Sequence, residues 1–413
     1  MNVLVMGMNY FPEKTAIGPF TSCLCEYLAD REHEVTVVTA FPHYPEWRVH
    51  DGYQGKVFLH ERINGILVYR SYVYVSGKPN TVQRIAYDSS FSLSAFVSGL
   101  LVRKVNIIVC ISPPLQLGLM ACILSKLKGV PFLFHIQDLL PDAAVNLGML
   151  RDRRLVGLAH RLEKFIYQKA AAVGVISPGF AENLYCKGVP KSKVYYLPDW
   201  IDIDFIKPLD RNNIFRKQNN LPESDFLVMY AGNIGKKQAL ETVLDTASIL
   251  RRQKDIAFFI VGEGAAKAAL VNKAEEMNLS NVRFFPLQPK KMLPCMLSAA
   301  DVLVLTQQAG ITDICLPSKL LTNMASARPI VAGVNDRSET ARAIRDAEAG
   351  LVVAPENAQA VAGAILRLRS SSQLREELGT NGRAFVSEHF EKLKVLKKFE
   401  RLLQAIVQNG NCE

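Results

Sequence analysis

Along the chain, short apolar runs alternate with longer stretches in which apolar positions recur at helical spacing. Residues 2–7 predict a buried strand and 17–31 an amphipathic helix, with a second strand at Glu34–Ala40. Further strands are expected at 57–60, 66–72, 107–111, 131–136 and 172–176. The rhythm then restarts. Asp225–Ala231 reads as a new first strand and Ala239–Arg252 as its helix, followed by strands at 256–261, 282–285, 301–306, 329–332 and 350–353. Strand, loop and helix repeated in this way give an α/β fold of parallel sheets covered by helices on both faces.

A chain of 413 residues exceeds one ordinary core, so the two rhythms are read as two doubly wound, Rossmann-like domains. The boundary falls near Pro198–Pro208, which assigns 1–200 to the first domain and 201–388 to the second. Residues 389–413 form a terminal helix with an apolar stripe from Phe390 to Leu403, either capping the second domain or crossing back to the first. Two such domains are expected to face each other across a cleft, and open α/β sheets bind ligands at the carboxyl ends of their strands.

Composition narrows the class. Hydrophobic residues at 49% and charged residues at 21% are globular values, and no stretch reaches the roughly 18 apolar residues of a membrane-spanning helix. The N-terminus opens on a strand without a basic head or cleavage site, so no secretory signal is read. The eight cysteines include no C-x-x-C pair, which argues against structural zinc and a disulfide framework and for thiols in a reducing cytosol. A net charge of +10 favours an acidic partner: phosphate groups or an anionic leaflet. Nucleic acid is not expected, because the aromatic-interleaved basic motifs of RNA-binding modules are absent.

Candidate chemistry clusters at strand ends. The first strand leads to Gly7 and then Gly18, not to G-x-G-x-x-G, which argues against a nicotinamide dehydrogenase. Gly18 at a helix start offers N–H groups to an anion, or is a plain loop glycine. Gly232-Asn233-Ile234-Gly235-Lys236-Lys237 follows a strand and suits a diphosphate, or is a solvated basic loop. Gly262 and Gly264 close the next strand and let a ligand approach the backbone, or form a bare turn. Pro317-Ser318-Lys319 opens an apolar helix, with Ser318 as its cap and Lys319 as a point charge for phosphate. In the first domain His135 ends a strand beside Asp138 and Asp142, where a histidine can donate to a sugar hydroxyl or a developing oxyanion. Ser177 is a weaker strand-end candidate, and Asp202-Ile203-Asp204 falls in the linker and is read as structural. Ser90–Leu101 is apolar and Arg151–Lys169 basic, a pairing that suits an anionic membrane surface or simply a core helix and a solvated one.

In their order along the chain, Asn9-Tyr10-Phe11-Pro12-Glu13, Pro42-His43-Tyr44-Pro45-Glu46-Trp47, His135–Asp138, Gly232–Gln238, Phe284–Gln288 and Leu316–Leu320 resemble the retaining family 4 glycosyltransferases of the GT-B fold, nearest to the colanic-acid and exopolysaccharide type. The resemblance implies that the second domain binds a UDP- or GDP-sugar and the first an acceptor, a lipid-linked glycan. It implies that Lys237 reaches the donor diphosphate and that Gly262 and Gly264 border the nucleotide. It implies further that Ser318 and Lys319 start the diphosphate-facing helix, Gly18 closes over the donor, and His135 stands near the transferred sugar. Two departures stand out. The glutamate that binds ribose in the family falls on Thr322, with its companion near Asp313-Ile314, and the arginine before the diphosphate lysine is replaced by Asn233.

The expected activity is hexosyl transfer with retention on the cytoplasmic face of a membrane, with His135 and Lys237 as catalytic groups. Lysines and helix N–H groups carry the diphosphate charge, so neither a metal nor a cofactor is required. The rival readings are a non-catalytic sugar-nucleotide-binding subunit and a GT-B nucleotide-sugar epimerase.

Overall fold

Val3, Leu4, Val5 and Met6 are all essentially inaccessible, as a central parallel strand requires. The computed structural model describes residues 1–13, 17–77, 80–142, 145, 152–311 and 316–410. It divides into two units: Met1–Pro198 with Leu396–Glu413, and Asp199–Val395.

The first unit carries an eight-stranded sheet in the order β3-β4-β2-β1-β5-β6-β7-β8. Its strands are β1 (Asn2–Met6), β2 (Glu34–Ala40), β3 (Phe58–Ile63), β4 (Ile66–Ser71), β5 (Ile107–Ser112), β6 (Phe132–Ile136), β7 (Ala172–Val175) and β8 (Val194–Tyr196). The sheet is parallel except at one edge, where β3 and β4 pair antiparallel through Asn64 and Gly65, both with positive φ (51° and 82°). Asn-Gly in that conformation makes the tight hairpin turn whose twist matches its strands. The edge strand β8 had no separate sequence signal, being three residues long.

The second unit carries six parallel strands in the order β11-β10-β9-β12-β13-β14. These are β9 (Phe226–Ala231), β10 (Ile256–Val261), β11 (Val282–Phe285), β12 (Val302–Thr306), β13 (Ile330–Gly333) and β14 (Gly350–Val353). Side chains alternate across it with the two-residue period of a strand. Phe226, Val228 and Tyr230 join one apolar cluster with Val243, Leu244 and Ile365, whereas Leu227 and Met229 join the opposite one with Phe215 and Leu297.

The helix expected over 239–252 is shorter. Lys236–Gln238 form a single 3-10 turn, Ala239 takes φ 43°, and the helix proper spans Glu241–Ile249. The C-terminal helix runs from Lys392 to Gly410. Its second half belongs to the first unit. Glu400 accepts from the Tyr27 hydroxyl at 2.8 Å and pairs with His33 at 3.0 Å, and Phe399 lies edge-on to His135 with ring centroids 5.3 Å apart.

Candidate functional site

The second sheet changes winding direction between β9 and β12, where a doubly wound fold opens its ligand crevice. The loop after β9 is braced by the loop after β10: Gly232 N donates to Val261 O at 3.0 Å, Ile234 N to Glu263 O at 2.8 Å, and Ala266 N to Ile234 O at 3.0 Å. That closeness dictates two glycines. A Cβ on Gly262 would stand 1.9 Å from Gly232 O, and one on Gly264 2.2 Å from Ile234 O; both residues have φ above 150°. The Gly-Glu-Gly turn thus admits the neighbouring loop, a structural role in addition to the expected approach of a ligand.

At the tip of β9 the Lys319 ammonium donates to the Tyr230 hydroxyl at 2.9 Å and lies 4.9 Å from that ring's centroid. The Tyr230 hydroxyl in turn donates to Asn233 O at 2.6 Å. Lys319 therefore stands beside Gly232, with Nζ 3.4 Å from where a Cβ would be. Lys236, Lys237 and Asn233 are exposed. Their turn is tied to β12 by Gln308 N donating to Lys237 O at 3.0 Å and Thr306 Oγ1 donating to Gln238 O at 2.6 Å, and internally by Gly235 N donating to Gln238 Oε1 at 3.1 Å. Three lysines and a glycine loop at the switch point can hold a diphosphate by charge and by N–H donors.

One expectation at this end is corrected. Ser318 is the first residue of the Ser318–Ala325 helix, not its cap; Pro317 holds the cap position and no side chain caps the helix. Leu320 N is bonded to Pro317 O at 2.9 Å, so the orphan donors lie at Ser318 and Lys319. Thr322 turns its hydroxyl onto its own helix, donating to Ser318 O at 3.1 Å. The carboxylate expected near Asp313-Ile314 lies outside the described residues.

In the first unit the corresponding strand ends carry a polar core that sequence reasoning did not assemble. Glu13, only 4% exposed, accepts from His43 N and Tyr44 N at 2.9 Å each and from Asn9 Nδ2 at 2.7 Å. Fully buried His43 donates through Nδ1 to Phe41 O at 2.7 Å and so accepts the Tyr87 hydroxyl at Nε2, also 2.7 Å. Burial holds the His43 imidazole below its ordinary range, against the opposing pulls of Phe41 O and Glu13. Gly18 starts the Gly18–Asp30 helix directly over Glu13, whose carbonyl would be 3.1 Å from an added Cβ. The only advance signal was Glu13 and His43 recurring in two of the motif stretches.

His135 is brought to the end of β6, but its ring is 4% exposed, with Nε2 3.0 Å from Gln137 Nε2 and Nδ1 turned to Gly174. Burial lowers it to about 4. The histidine expected to donate to a sugar hydroxyl or a developing oxyanion is instead a neutral core histidine, wedged between β7 and Phe399. Asp142 is corrected as well: it pairs with Lys187 at 2.8 Å and accepts from Asn183 at 3.0 Å, in a cluster with Glu163. Asp138 remains exposed, and desolvation nonetheless raises its carboxyl despite the lowering pull of Arg84. Ser177 caps the Pro178–Cys186 helix, accepting from Phe180 N, and Asp202 accepts from Asp204 N and Phe205 N in the linker. Among the described residues, no three His, Cys, Asp or Glu side chains gather as a metal-ligand set.

A cavity of about 800 Å³ in the second unit lies at the amino ends of β9, β12 and β13, away from these loops. Arg211, Asp301, Arg328 and Arg375 line it, and Asp301 there accepts from Arg211, Arg216 and Leu227 N. Donor chemistry is assigned to the glycine loops instead, because doubly wound sheets present their crevice at strand carboxyl ends.

Both halves match glycosyltransferase families: "Glycosyl transferase 4-like domain" over residues 15–200 and "Glycosyl transferases group 1" over 211–385. The chain belongs to the glycosyltransferases of the GT-B fold. It is 32% identical over 408 residues to WcaI of Escherichia coli K12, a glycosyl transferase ascribed to colanic acid biosynthesis, covering 97% of this chain and 98% of that one. Among solved structures, sucrose-phosphate synthase from Thermosynechococcus elongatus superposes with a TM-score of 0.74 at 19% identity, covering 99% of both chains. Anabaena HepE in complex with UDP superposes with a TM-score of 0.72 at 14% identity, covering 98% of this chain and 100% of that one.

Proposed function

We propose that the chain transfers a hexosyl group, with retention, from a UDP- or GDP-sugar to a lipid-linked glycan during cell-envelope polysaccharide assembly. The observation that carries the donor half is the convergence of Lys319, Tyr230 and the Gly232–Lys237 loop at the carboxyl end of β9. The colanic-acid assignment of WcaI and the UDP in HepE support the polysaccharide context and the donor class. In the reaction, the bond from the anomeric carbon to the diphosphate oxygen breaks. A bond to the acceptor oxygen forms on the same face, and the acceptor proton passes to the departing diphosphate. Lys237 and Lys319 stabilise the charge that develops on that diphosphate, the largest contribution a protein of this kind makes. No side-chain nucleophile is required.

The acceptor half is read as peripheral on the cytoplasmic face of an anionic membrane. No helix among the described residues is long and apolar enough to cross a bilayer. The Thr81–Leu101 helix exposes Val82, Leu93, Val97 and Leu101, and the Arg153–Lys169 helix exposes Leu158 and Phe165 among Arg153, Arg154, Arg161 and Lys164. Apolar side chains interspersed with cations are what an anionic interface holds. The protein is expected to pellet with phosphatidylglycerol vesicles and to come off at high salt; equal recovery with neutral vesicles would remove the membrane half of this reading.

The test of activity is hydrolysis and transfer across a panel of UDP- and GDP-sugars, with membrane extract as acceptor source. One donor should turn over, and Lys237→Ala should not sustain it. Donors that bind without turnover in the presence of acceptor lipid would favour the binding-subunit alternative.

A further inference from the structure

The cavity at the amino ends of β9, β12 and β13 is lined by four arginines in two different states. Two are neutralised by carboxylates. Arg211 grips Asp301 through Nε at 2.6 Å and Nη2 at 3.1 Å, and Arg369 grips Asp255 through Nε at 2.8 Å and Nη2 at 2.9 Å. The other two are held by main-chain carbonyls. Arg328 donates through Nε and Nη2 to Ser298 O, at 3.0 and 2.6 Å, and through Nη2 to Leu209 O at 3.1 Å. Arg375 donates through Nη1 to Leu368 O at 2.6 Å and Arg369 O at 3.1 Å, its guanidinium 5.4 Å from the Phe226 ring centroid. Among the described residues, Arg328 Nη1 and Arg375 Nε and Nη2 meet no acceptor, and neither guanidinium has a carboxylate at ion-pair distance. Asp301 acts on both through its field, and Asp210 on Arg328, but Asp301 is already shared by Arg211, Arg216 and Leu227 N.

We propose that this cavity binds a small phosphorylated metabolite, an organic phosphate of two or more negative charges, at a site separate from the donor crevice. Carbonyl partners fix the two guanidiniums in place without cancelling their charge. The N–H groups left over are set for an oxyanion, which guanidinium forks match in geometry as well as charge. Burial disfavours both charges, and a bound anion offsets part of that cost. Ser372 and Thr380, exposed on the same wall, add hydroxyls that both donate and accept, as a sugar or a phosphate requires. The volume, about 800 Å³, falls within the roughly 300–1,000 Å³ of small-molecule sites and exceeds what a bare phosphate fills. The glycine loops and lysines of the donor crevice stand at the opposite ends of β9 and β12, so both sites can be filled at once.

Titration calorimetry on the full chain, with UDP at saturation to fill the donor crevice, tests this. Ribose 5-phosphate should bind, inorganic phosphate about tenfold more weakly, and ribose not at all. Arg328→Gln and Arg375→Gln should each weaken ribose 5-phosphate about tenfold or more, the scale of a lost hydrogen bond to a charged group. Both substitutions also remove main-chain anchors, so Ser372→Glu is the companion variant. Ser372 is exposed in the first turn of the Ser372–His389 helix, where a glutamate suits the helix dipole, and the change sets a negative charge on the cavity wall. It should weaken ribose 5-phosphate at least threefold while melting temperature and UDP affinity match the wild type. Ribose 5-phosphate that binds only without UDP, or binds wild type and Ser372→Glu equally, or binds no better than inorganic phosphate, would overturn the proposal, as would no binding at all. None of these outcomes touches the donor reading, which the UDP titration reports by itself.

Discussion

The ammonium of Lys319 rests on Tyr230: it donates to the hydroxyl at 2.9 Å and lies 4.9 Å from the ring centroid. The lysine is thereby held beside Gly232 before any ligand arrives, which reduces the side-chain entropy lost on binding. Lys319→Ala should raise the donor KM or UDP Kd about tenfold to a hundredfold, as removing a charged hydrogen-bond donor does. Tyr230→Phe keeps the ring but releases both the lysine and Asn233 O, and should cost only about threefold to tenfold. Titration calorimetry with UDP reads both, and equal losses in the two variants would contradict this division of labour.

Gly264 is a sharper case, because no side chain has room there. Its φ of 157° is foreign to L residues, and a Cβ would stand 2.2 Å from Ile234 O. Gly264→Ala should lower stability by about 2–3 kcal/mol or more and abolish UDP binding by displacing the Gly232–Lys237 loop. Gly310→Ala is the control: nothing lies within 4 Å of its added Cβ, so its melting temperature should match the wild type. A Gly264→Ala protein that melts normally would refute the tight apposition of these two loops.

Much of this architecture was legible in the sequence, and the reasons are local. Strands such as Leu4–Met6 and Phe258–Val261 are continuous apolar runs because both faces are covered, a signal that survives without tertiary knowledge. The glycines of the loops after β9 and β10, Gly232, Gly262 and Gly264, were legible as special backbone positions because positive φ restricts residue choice. The roles of Ser318, Asp142 and His135 were not. Whether a serine is cap or first turn depends on where the backbone bends, and whether an aspartate is free depends on Lys187, 45 positions away. The burial of His135 depends on Phe399, far along the chain in a helix whose destination the periodicity left open. The Glu13–His43–Tyr87 core unites three elements through hydrogen bonds that leave no periodic trace.

His135 predicts an acid limb of stability. Its folded value is lowered to about 4 by burial, so the fold favours the neutral ring. That contribution is fully present above the unfolded value near 6.5 and is lost as pH falls from there toward 4. His135→Gln should be less stable than wild type at pH 7, while its stability should fall less between pH 6.5 and pH 4.5. Denaturant midpoints at the two pH values check this; parallel slopes would mean that the histidine is not buried neutral.

Asp88 predicts the opposite limb. Burial raises its carboxyl to about 7, so folding favours the protonated form. The contribution is present at low pH and is lost as pH rises from the unfolded value near 3.9 through 7. Asp88→Asn should therefore melt higher than wild type at pH 8, by roughly 2–4 °C for each kcal/mol relieved, and show a clearly smaller gain at pH 5. Calorimetric scans at both pH values are sufficient, and a pH-independent offset would reject the raised carboxyl.

The last prediction concerns metal. A sugar diphosphate carries charge that must be matched as it departs, and proteins match it with a divalent cation or with their own cations. Here the groups at the tip of β9 are cationic: Lys236 and Lys237 are exposed on the turn, and Lys319 is fixed over Tyr230. The D-x-D pair that could serve a metal sits instead in the linker, where Asp202 is occupied by backbone N–H groups of its own turn. Transfer should therefore survive EDTA within about twofold, whereas Lys237→Ala should lose about a hundredfold or more in kcat/KM, the scale of a lost charge-stabilising donor. If EDTA abolishes activity and Mg²⁺ restores it, the lysines bind the donor but do not replace a metal in catalysis.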